Sequence, residues 1–189
     1  MKTLFALMFL FMATGGPIRA GAQTYDAVDN KGMEQWQAKD YSNAMKTFEH
    51  AYDMAQASRD KEKQYDMLGW LGSASDILGN TSAALKYGEQ RLALLRQNRE
   101  YFRSKADDEE ELLHDLGSLY LEQGNYPAAL RDLHASLAIC KAPEKDCGTS
   151  TGRIMRDLGI ALFLSGDVNS AEQVLRDSAK SLHDFSARV

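Results

Sequence analysis

The chain has 189 residues, with 22 Lys and Arg against 27 Asp and Glu, a formal net charge of −5. Its 44% hydrophobic and 26% charged residues are typical of a folded globular protein and argue against intrinsic disorder. Two cysteines and three prolines exclude disulfide-dense and collagen-like classes. The acidic balance also makes nucleic acid a poor partner, because its phosphates repel a negatively charged surface.

Residues 1–22 have the layout of a signal peptide. Lys2 precedes nine consecutive apolar residues at positions 4–12, and the segment ends in the small residues Ala-Gly-Ala. The apolar run is about half of the roughly 20 residues needed to cross a bilayer, so an uncleaved anchor is the weaker alternative. We therefore expect a mature chain that starts at Gln23, carries a charge of −7 and does not insert into the membrane. The expected location is the periplasm or the exterior of the cell.

Hydrophobic spacing and capping residues predict eight helices in the mature chain. Their expected ranges are 25–38, 41–58, 62–78, 81–103, 106–123, 126–140, 150–165 and 168–186. Consecutive helices form four pairs within one domain of residues 23–189. The expected pairs are 25–58, 62–103, 106–140 and 150–186.

The helix pairs coincide with an internal repeat of four ungapped segments. All four share an opening glycine, an Asp or Asn eight residues later, and an alanine four residues beyond that. The Asp or Asn is the expected N-cap of the second helix, and the small residues allow the paired helices to approach closely. The opening glycines are Gly32, Gly72, Gly117 and Gly159, the caps are Asp40, Asn80, Asn125 and Asp167, and the alanines are Ala44, Ala84, Ala129 and Ala171.

A large apolar residue stands sixteen positions after the opening glycine in three of the copies. Phe48, Leu133 and Leu175 occupy this position, and each is expected to fill the space between its two helices. The second copy differs, because it has Gly88 there.

The repeat resembles the tetratricopeptide repeat. The third copy matches the family pattern most fully, with Leu116, Gly117, Tyr120, Gly124, Tyr126 and Ala129. The first copy departs from it at Lys31, Gln35 and Lys39, and the second at Gly88 and Arg91. Copy spacings of 40, 45 and 42 residues exceed the usual 34 and resemble the longer repeats of kinesin light chains. The resemblance implies an all-α, right-handed superhelical solenoid of about four antiparallel helix pairs.

The same resemblance implies that the leading helix of each pair lines a concave face that binds a protein or peptide. Most of the implied groove is acidic, which suits a basic segment of a partner, although solubility alone explains the acids equally well. The carboxylate clamp of chaperone-binding members needs lysine and asparagine where this chain has Asp29 and Met33, so that subclass is excluded. The implied concave-face residues are Asp26, Asp29, Met33, Trp36, Asp66, Asp76, Glu111, His114, Glu122, Arg153, Arg156 and Phe163.

Three functions follow as hypotheses. The first is an exported scaffold that binds a protein or peptide and is not an enzyme. The second is an extracytoplasmic sensory or dimerising array belonging to a longer signalling protein. The third is a hydrolase that uses the adjacent pairs His114-Asp115 and His183-Asp184, although neighbouring helix residues point in divergent directions. No cofactor or metal site is expected, because the histidines are far apart in sequence.

Two further expectations concern the last repeat. Export would place Cys140 and Cys147 in an oxidising compartment, which favours a disulfide over two free thiols. The final helix pair carries apolar residues that only partly face the third repeat, so this end is expected to associate with a second copy, a partner or a downstream segment. The alternative is that the polar residues of the eighth helix form a cap. The apolar residues are Ile160, Phe163, Leu164, Val174 and Leu175, and the polar ones are Ser178, Lys180, Ser181 and Asp184.

Overall fold

The computed structural model describes residues 23–143, 145 and 147–186. Within these ranges the chain forms eight α-helices, one short 3₁₀-helix and no strand. The expected signal peptide, residues 1–22, lies outside the described residues. The helices are α1 Tyr25–Gln37, α2 Tyr41–Ser58, α3 Lys61–Ile77, α4 Thr81–Gln97, α5 Asp108–Glu122, α6 Tyr126–Cys140, α7 Thr149–Ser165 and α8 Val168–Ser186, and the 3₁₀-helix is Arg103–Lys105.

The helices form consecutive antiparallel pairs, and each helix packs mainly against its neighbours in chain order. We call these pairs repeat 1 (α1 and α2), repeat 2 (α3 and α4), repeat 3 (α5 and α6) and repeat 4 (α7 and α8). The predicted all-α helical solenoid is thus confirmed. Among the described helices, none has the length and hydrophobicity required to cross a membrane.

The start of the trailing helix follows the same local rule in all four repeats. Each cap side chain accepts a hydrogen bond from the backbone N–H three residues later, at 3.4 Å for Asp40, 3.1 Å for Asn80, 3.4 Å for Asn125 and 3.2 Å for Asp167. The residue before each cap has a positive φ, which glycine adopts without strain at three of the four positions. Repeat 1 has Lys39 there instead, at φ 60°.

The end of α4 differs from the prediction. The helix stops at Gln97 rather than at residue 103, because the side-chain Nδ2 of Asn98 donates to the carbonyl of Leu94 and the chain then turns. The turn directs Phe102 inward, where it is 1% exposed and its ring centroid lies 5.1 Å from that of Tyr65. Burial of this aromatic ring stabilises the fold by more than a further turn of α4 would.

The opening glycines are close-contact positions in three of the repeats. A Cβ atom built on Gly32 would lie 2.4 Å from the ring of Phe48, and one built on Gly117 would lie 2.6 Å from Cγ of Leu133. Gly159 has the same relation to Leu175, at 2.6 Å. Absence of a side chain at these glycines therefore lets the large residue of the trailing helix reach the backbone of the leading helix.

The connection between repeats 3 and 4 contains a disulfide. Cys140 is the last residue of α6, and its sulfur is bonded to that of Cys147, with a Cα to Cα distance of 5.4 Å. The bridge thus holds the end of α6 close to the start of α7.

We expect no free thiol in the natively isolated protein after it is unfolded without a reductant. Reduction should cost roughly 2–3 kcal/mol at most, because the closed loop is short and removes little entropy from the unfolded chain. Thiol titration in denaturant measures the oxidation state directly. Two titratable thiols in freshly isolated protein would contradict the bridge.

Candidate partner-binding groove

Two adjoining recesses lie along the leading helices. The first, of about 690 Å³, lies between α1 and α3, and the second, of about 250 Å³, lies between α3 and α5 with α4 as its floor. They share Gly69, Ser73 and Arg91, so they form one continuous depression across repeats 1 to 3. We call this depression the leading-helix groove. Its predicted members are Asp26, Asp29 and Asp66 in the first recess and Asp76 and Glu122 in the second.

Carboxylates outnumber cations in the first recess. Lys63 lies 3.8 Å from Asp26, and Lys105 lies 3.6 Å from Asp66. Burial, together with the charges of Asp66 and Asp26, raises the pKa of Asp29. Burial likewise raises the pKa of Asp66, although Lys105 opposes the shift. A further positive charge that enters the recess would stabilise the ionised form of these carboxyl groups.

Arg91 separates the two recesses and was not predicted as a groove residue. Its guanidinium carbon lies 4.3 Å from the ring centroid of Tyr65, and its side chain crosses the position where Gly69 has no side chain. The Nε atom of Arg91 is buried and has no hydrogen-bond acceptor among the described residues. The sequence signal was indirect, since both Gly69 and Arg91 stand in the copy that departs from the repeat pattern.

The second recess has an acidic rim, and one of its residues was not predicted to line the groove. Asp115 joins Asp76 and Glu122 there, and none of the three forms a salt bridge within the described part of the chain. The groove walls partly desolvate Asp115 although it stays accessible to solvent, and this effect together with the charge of Glu111 raises its pKa. The sequence suggested Asp115 only as a possible hydrolase residue beside His114 and not as a groove residue, because its helical register differs by one residue from that of His114.

Two predicted groove residues of α1 lie in the packing of repeat 1. Met33 is half-buried against the core of this repeat. Trp36 makes edge contacts with Tyr41 and Trp70, at centroid distances of 5.0 and 5.1 Å. Neither residue lines the two recesses.

Two other predicted groove residues converge on a buried carboxylate. Nε2 of His114 donates to Oδ2 of Asp157 at 2.9 Å, and Nε of Arg156 donates to Oδ1 of the same residue at 2.8 Å. Ser118 also donates to Asp157, at 3.3 Å. His114 therefore pairs with a residue of repeat 4 and not with its sequence neighbour Asp115. The cluster connects α5 to α7.

The Asp157 cluster predicts a stability change at acidic pH. Burial tends to raise the pKa of Asp157, but hydrogen bonds and charges from His114 and Arg156 prevail and lower it from 3.8 to about 2. A lowered pKa in the folded state stabilises the protein above about pH 4, and this contribution disappears as the pH falls towards 2. The shift corresponds to about 2 kcal/mol at neutral pH.

We therefore expect Asp157→Asn to lower the free energy of unfolding by about 2 kcal/mol at pH 7 and by much less near pH 2. Urea denaturation at several pH values measures this difference. Asp53→Asn, at an exposed site on α2, should change stability by less than about 0.5 kcal/mol. Equal stability of Asp157→Asn and wild type at neutral pH would show that the ionised carboxylate of Asp157 does not stabilise the fold.

The remaining predicted residues lie beyond the second recess. Glu111 and Arg153 are exposed and influence the pKa of Asp115 with opposite signs. Phe163 is 56% exposed on α7. These three residues border the repeat 3 and repeat 4 end of the leading-helix face without lining either recess.

One group of metal-ligand side chains converges within the described ranges. It consists of Glu110, Cys140 and Cys147, whose ligand atoms lie within 4.8 Å of one another. Both sulfurs are committed to the disulfide, and the hydroxyl of Ser136 donates to the carboxylate of Glu110 at 3.5 Å.

Comparison with solved structures finds the same fold in several repeat proteins. BtubC (BKLC) from P. vanneervenii has a TM-score of 0.71 and 16% identity, over 87% of this chain and 67% of that one. A putative kinesin light chain from Podosopora anserina with nearly identical TPR-like repeats has a TM-score of 0.64 and 20% identity, over 83% and 76%. A Rap protein complexed with Competence and Sporulation Factor has a TM-score of 0.59 and 16% identity, over 86% and 44%.

Sequence comparisons identify the repeat directly. No curated protein matches this sequence. Two tetratricopeptide repeat models do match, one at residues 25–58 and the other at residues 108–182. These ranges cover repeats 1, 3 and 4 and leave out repeat 2, the copy with Gly88 and Arg91. With the paired helices, the caps and the close-contact glycines, they show that the chain belongs to the tetratricopeptide repeat family.

Proposed function

We propose that this protein is an exported interaction scaffold that binds a basic segment of a partner protein in the leading-helix groove and acts by binding rather than by catalysis. The observation that carries the proposal is the continuous acidic depression across repeats 1 to 3. Carboxylates outnumber cations among the residues that line the groove, so a positively charged segment complements its charge. The similarity to a Rap protein complexed with Competence and Sporulation Factor supports a solenoid that holds a partner.

A crosslinking experiment tests the groove. A photoreactive amino acid at Ser73, which lines both recesses, should crosslink a partner in an envelope extract, whereas the same group at Ser42 on α2 should not. Joint replacement of Asp26, Asp29 and Asp66 by asparagine should abolish the Ser73 crosslink. Neutralising three exposed acids elsewhere, Glu34, Asp53 and Asp177, should leave it intact. Crosslinks that survive loss of the groove acids would overturn the proposal.

Export is supported by residues 1–22, whose composition is that of a cleavable signal peptide. The disulfide between Cys140 and Cys147 suits an oxidising compartment. Intact-mass measurement on the native protein should find a chain that begins at or near Gln23 in the envelope or the medium. Recovery of a membrane-bound chain that retains Met1 would contradict export.

A second candidate function is a dimerising array, favoured by an exposed apolar surface on repeat 4. Phe163 and Leu164 are 56% and 47% exposed on α7, one turn beyond the exposed Ile160. We propose that a second copy covers this surface, because its members share one helical face. Sedimentation velocity should show a dimer that Phe163→Asp dissociates and that His134→Asp, at an exposed site on α6, does not. A monomer at all concentrations would exclude this candidate.

A further inference from the structure

Repeat 2 contains a pocket where the other repeats contain a side chain. In repeats 1, 3 and 4 a phenylalanine or leucine sixteen residues downstream covers the opening glycine. In repeat 2 that residue is Gly88, so a Cβ built on Gly72 would have no heavy atom closer than 3.9 Å. The second recess, of about 250 Å³, occupies this place, and we call it the Gly72–Gly88 pocket. One water molecule needs about 10–15 Å³ by a comparable measure, so a pocket of this volume has room for a long side chain.

The walls of the pocket suit a side chain that is apolar along its length and charged at its tip. Leucines of α3 and α5 form much of the interior, and Asp76, Asp115 and Glu122 stand among the lining residues without a salt-bridge partner in the described part of the chain. The positive charge that lines the pocket, Arg91, already lies over the ring of Tyr65. The leucines are Leu68, Leu112, Leu116 and Leu119.

We propose that the Gly72–Gly88 pocket receives an arginine or lysine side chain of a partner polypeptide, with the aliphatic stem against the leucines and the cation at the acidic rim. Long basic side chains bury their stems and keep their charge at a polar rim. A wholly apolar side chain would leave the carboxylates unneutralised, and an acidic one would be repelled. This inference rests on the proposed function, because it assigns one subsite within the leading-helix groove.

A small probe tests the pocket without the natural partner. We would titrate N-acetyl-arginine-N-methylamide into ¹⁵N-labelled protein of residues 23–189 and follow the amide signals by NMR. Chemical-shift changes should concentrate at Gly72, Ser73 and Gly88. The neutral citrulline analogue has nearly the same shape, so loss of the ion pair should weaken its binding about tenfold. Equal binding of the two probes, or shifts confined to other helices, would overturn the proposal.

Two variants test separately whether binding depends on the volume of the pocket and on the charge of its rim. Gly88→Leu restores the residue type of the other repeats and should abolish probe binding. Its Cβ atom would lie 2.9 Å from Cδ2 of Leu116, so the side chain of Leu116 must shift to admit it. The double variant Asp76→Asn/Glu122→Gln keeps the volume and should weaken arginine binding at least fivefold, a loss expected for partly enclosed charge pairs. Glu34→Gln/Asp53→Asn has the same net charge and should bind like wild type.

Because Gly88→Leu could perturb the packing of α4 against α5, the double variant decides the outcome when Gly88→Leu fails to fold. Unchanged arginine affinity in Asp76→Asn/Glu122→Gln would overturn the subsite. This failure is distinguishable from failure of the proposed function. A Ser73 crosslink that depends on Asp26, Asp29 and Asp66 would keep the groove as a binding site, even if the pocket did not take a cation.

Discussion

Phe48→Ala is expected to lower the free energy of unfolding by about 3–5 kcal/mol, because truncation of a buried phenylalanine removes its contacts and leaves a cavity. Phe48 is fully buried, lies against Gly32, and its ring stacks on that of Trp70 at a centroid distance of 5.7 Å. The loss should be concentrated in repeat 1, since repeat arrays are stabilised chiefly by each unit and its neighbours. Urea denaturation measures the total, and hydrogen exchange in α1 and α2 locates it.

Leu175→Ala is the matched control for this substitution. Leu175 occupies the same repeat position in α8 and contacts Gly159, but it is 37% exposed. Its truncation removes less buried surface and should cost about half as much or less. If Phe48→Ala cost no more than Leu175→Ala, the interpretation of Phe48 as the central core residue of repeat 1 would be wrong.

Gly117→Ala and Gly72→Ala should change stability in opposite directions, although both place a methyl group at the same repeat position. The new Cβ at Gly117 would lie 2.6 Å from Leu133, so we expect a loss of about 1–3 kcal/mol from overpacking. At Gly72 the nearest atoms are 3.9 Å away, and alanine should stabilise α3 by up to about 1 kcal/mol through its higher helix propensity.

Urea denaturation of the two variants, with wild type alongside, gives the comparison. Circular dichroism before denaturation verifies that helix content is unchanged. Two losses of similar size would show that the space beside Gly72 is closed in solution, and the Gly72–Gly88 pocket would then be absent.

The sequence predicted the elements that depend on short-range interactions. The capping side chains act within three residues, and the left-handed residue before each cap needs only its own backbone freedom, so their spacing alone locates the helix starts. The end of α4 escaped prediction because Phe102 is drawn inward by Tyr65, a residue 37 positions earlier. Local patterning contains no information about that contact.

The sequence by itself determined the family, the four repeats and the acidic character of the leading helices of repeats 1 to 3, because each of these depends on residue type and spacing. Only the tertiary structure decided which polar residues act together. His114 of α5 bonds to Asp157 of α7, which also contacts its neighbour Arg156, and Asp115 is turned towards the pocket by its helical register. The sequence also identified Gly88 as an exception. That the exception leaves a pocket depends on α3, α4 and α5 keeping their separation when the large side chain is missing, which is a property of the packed solenoid.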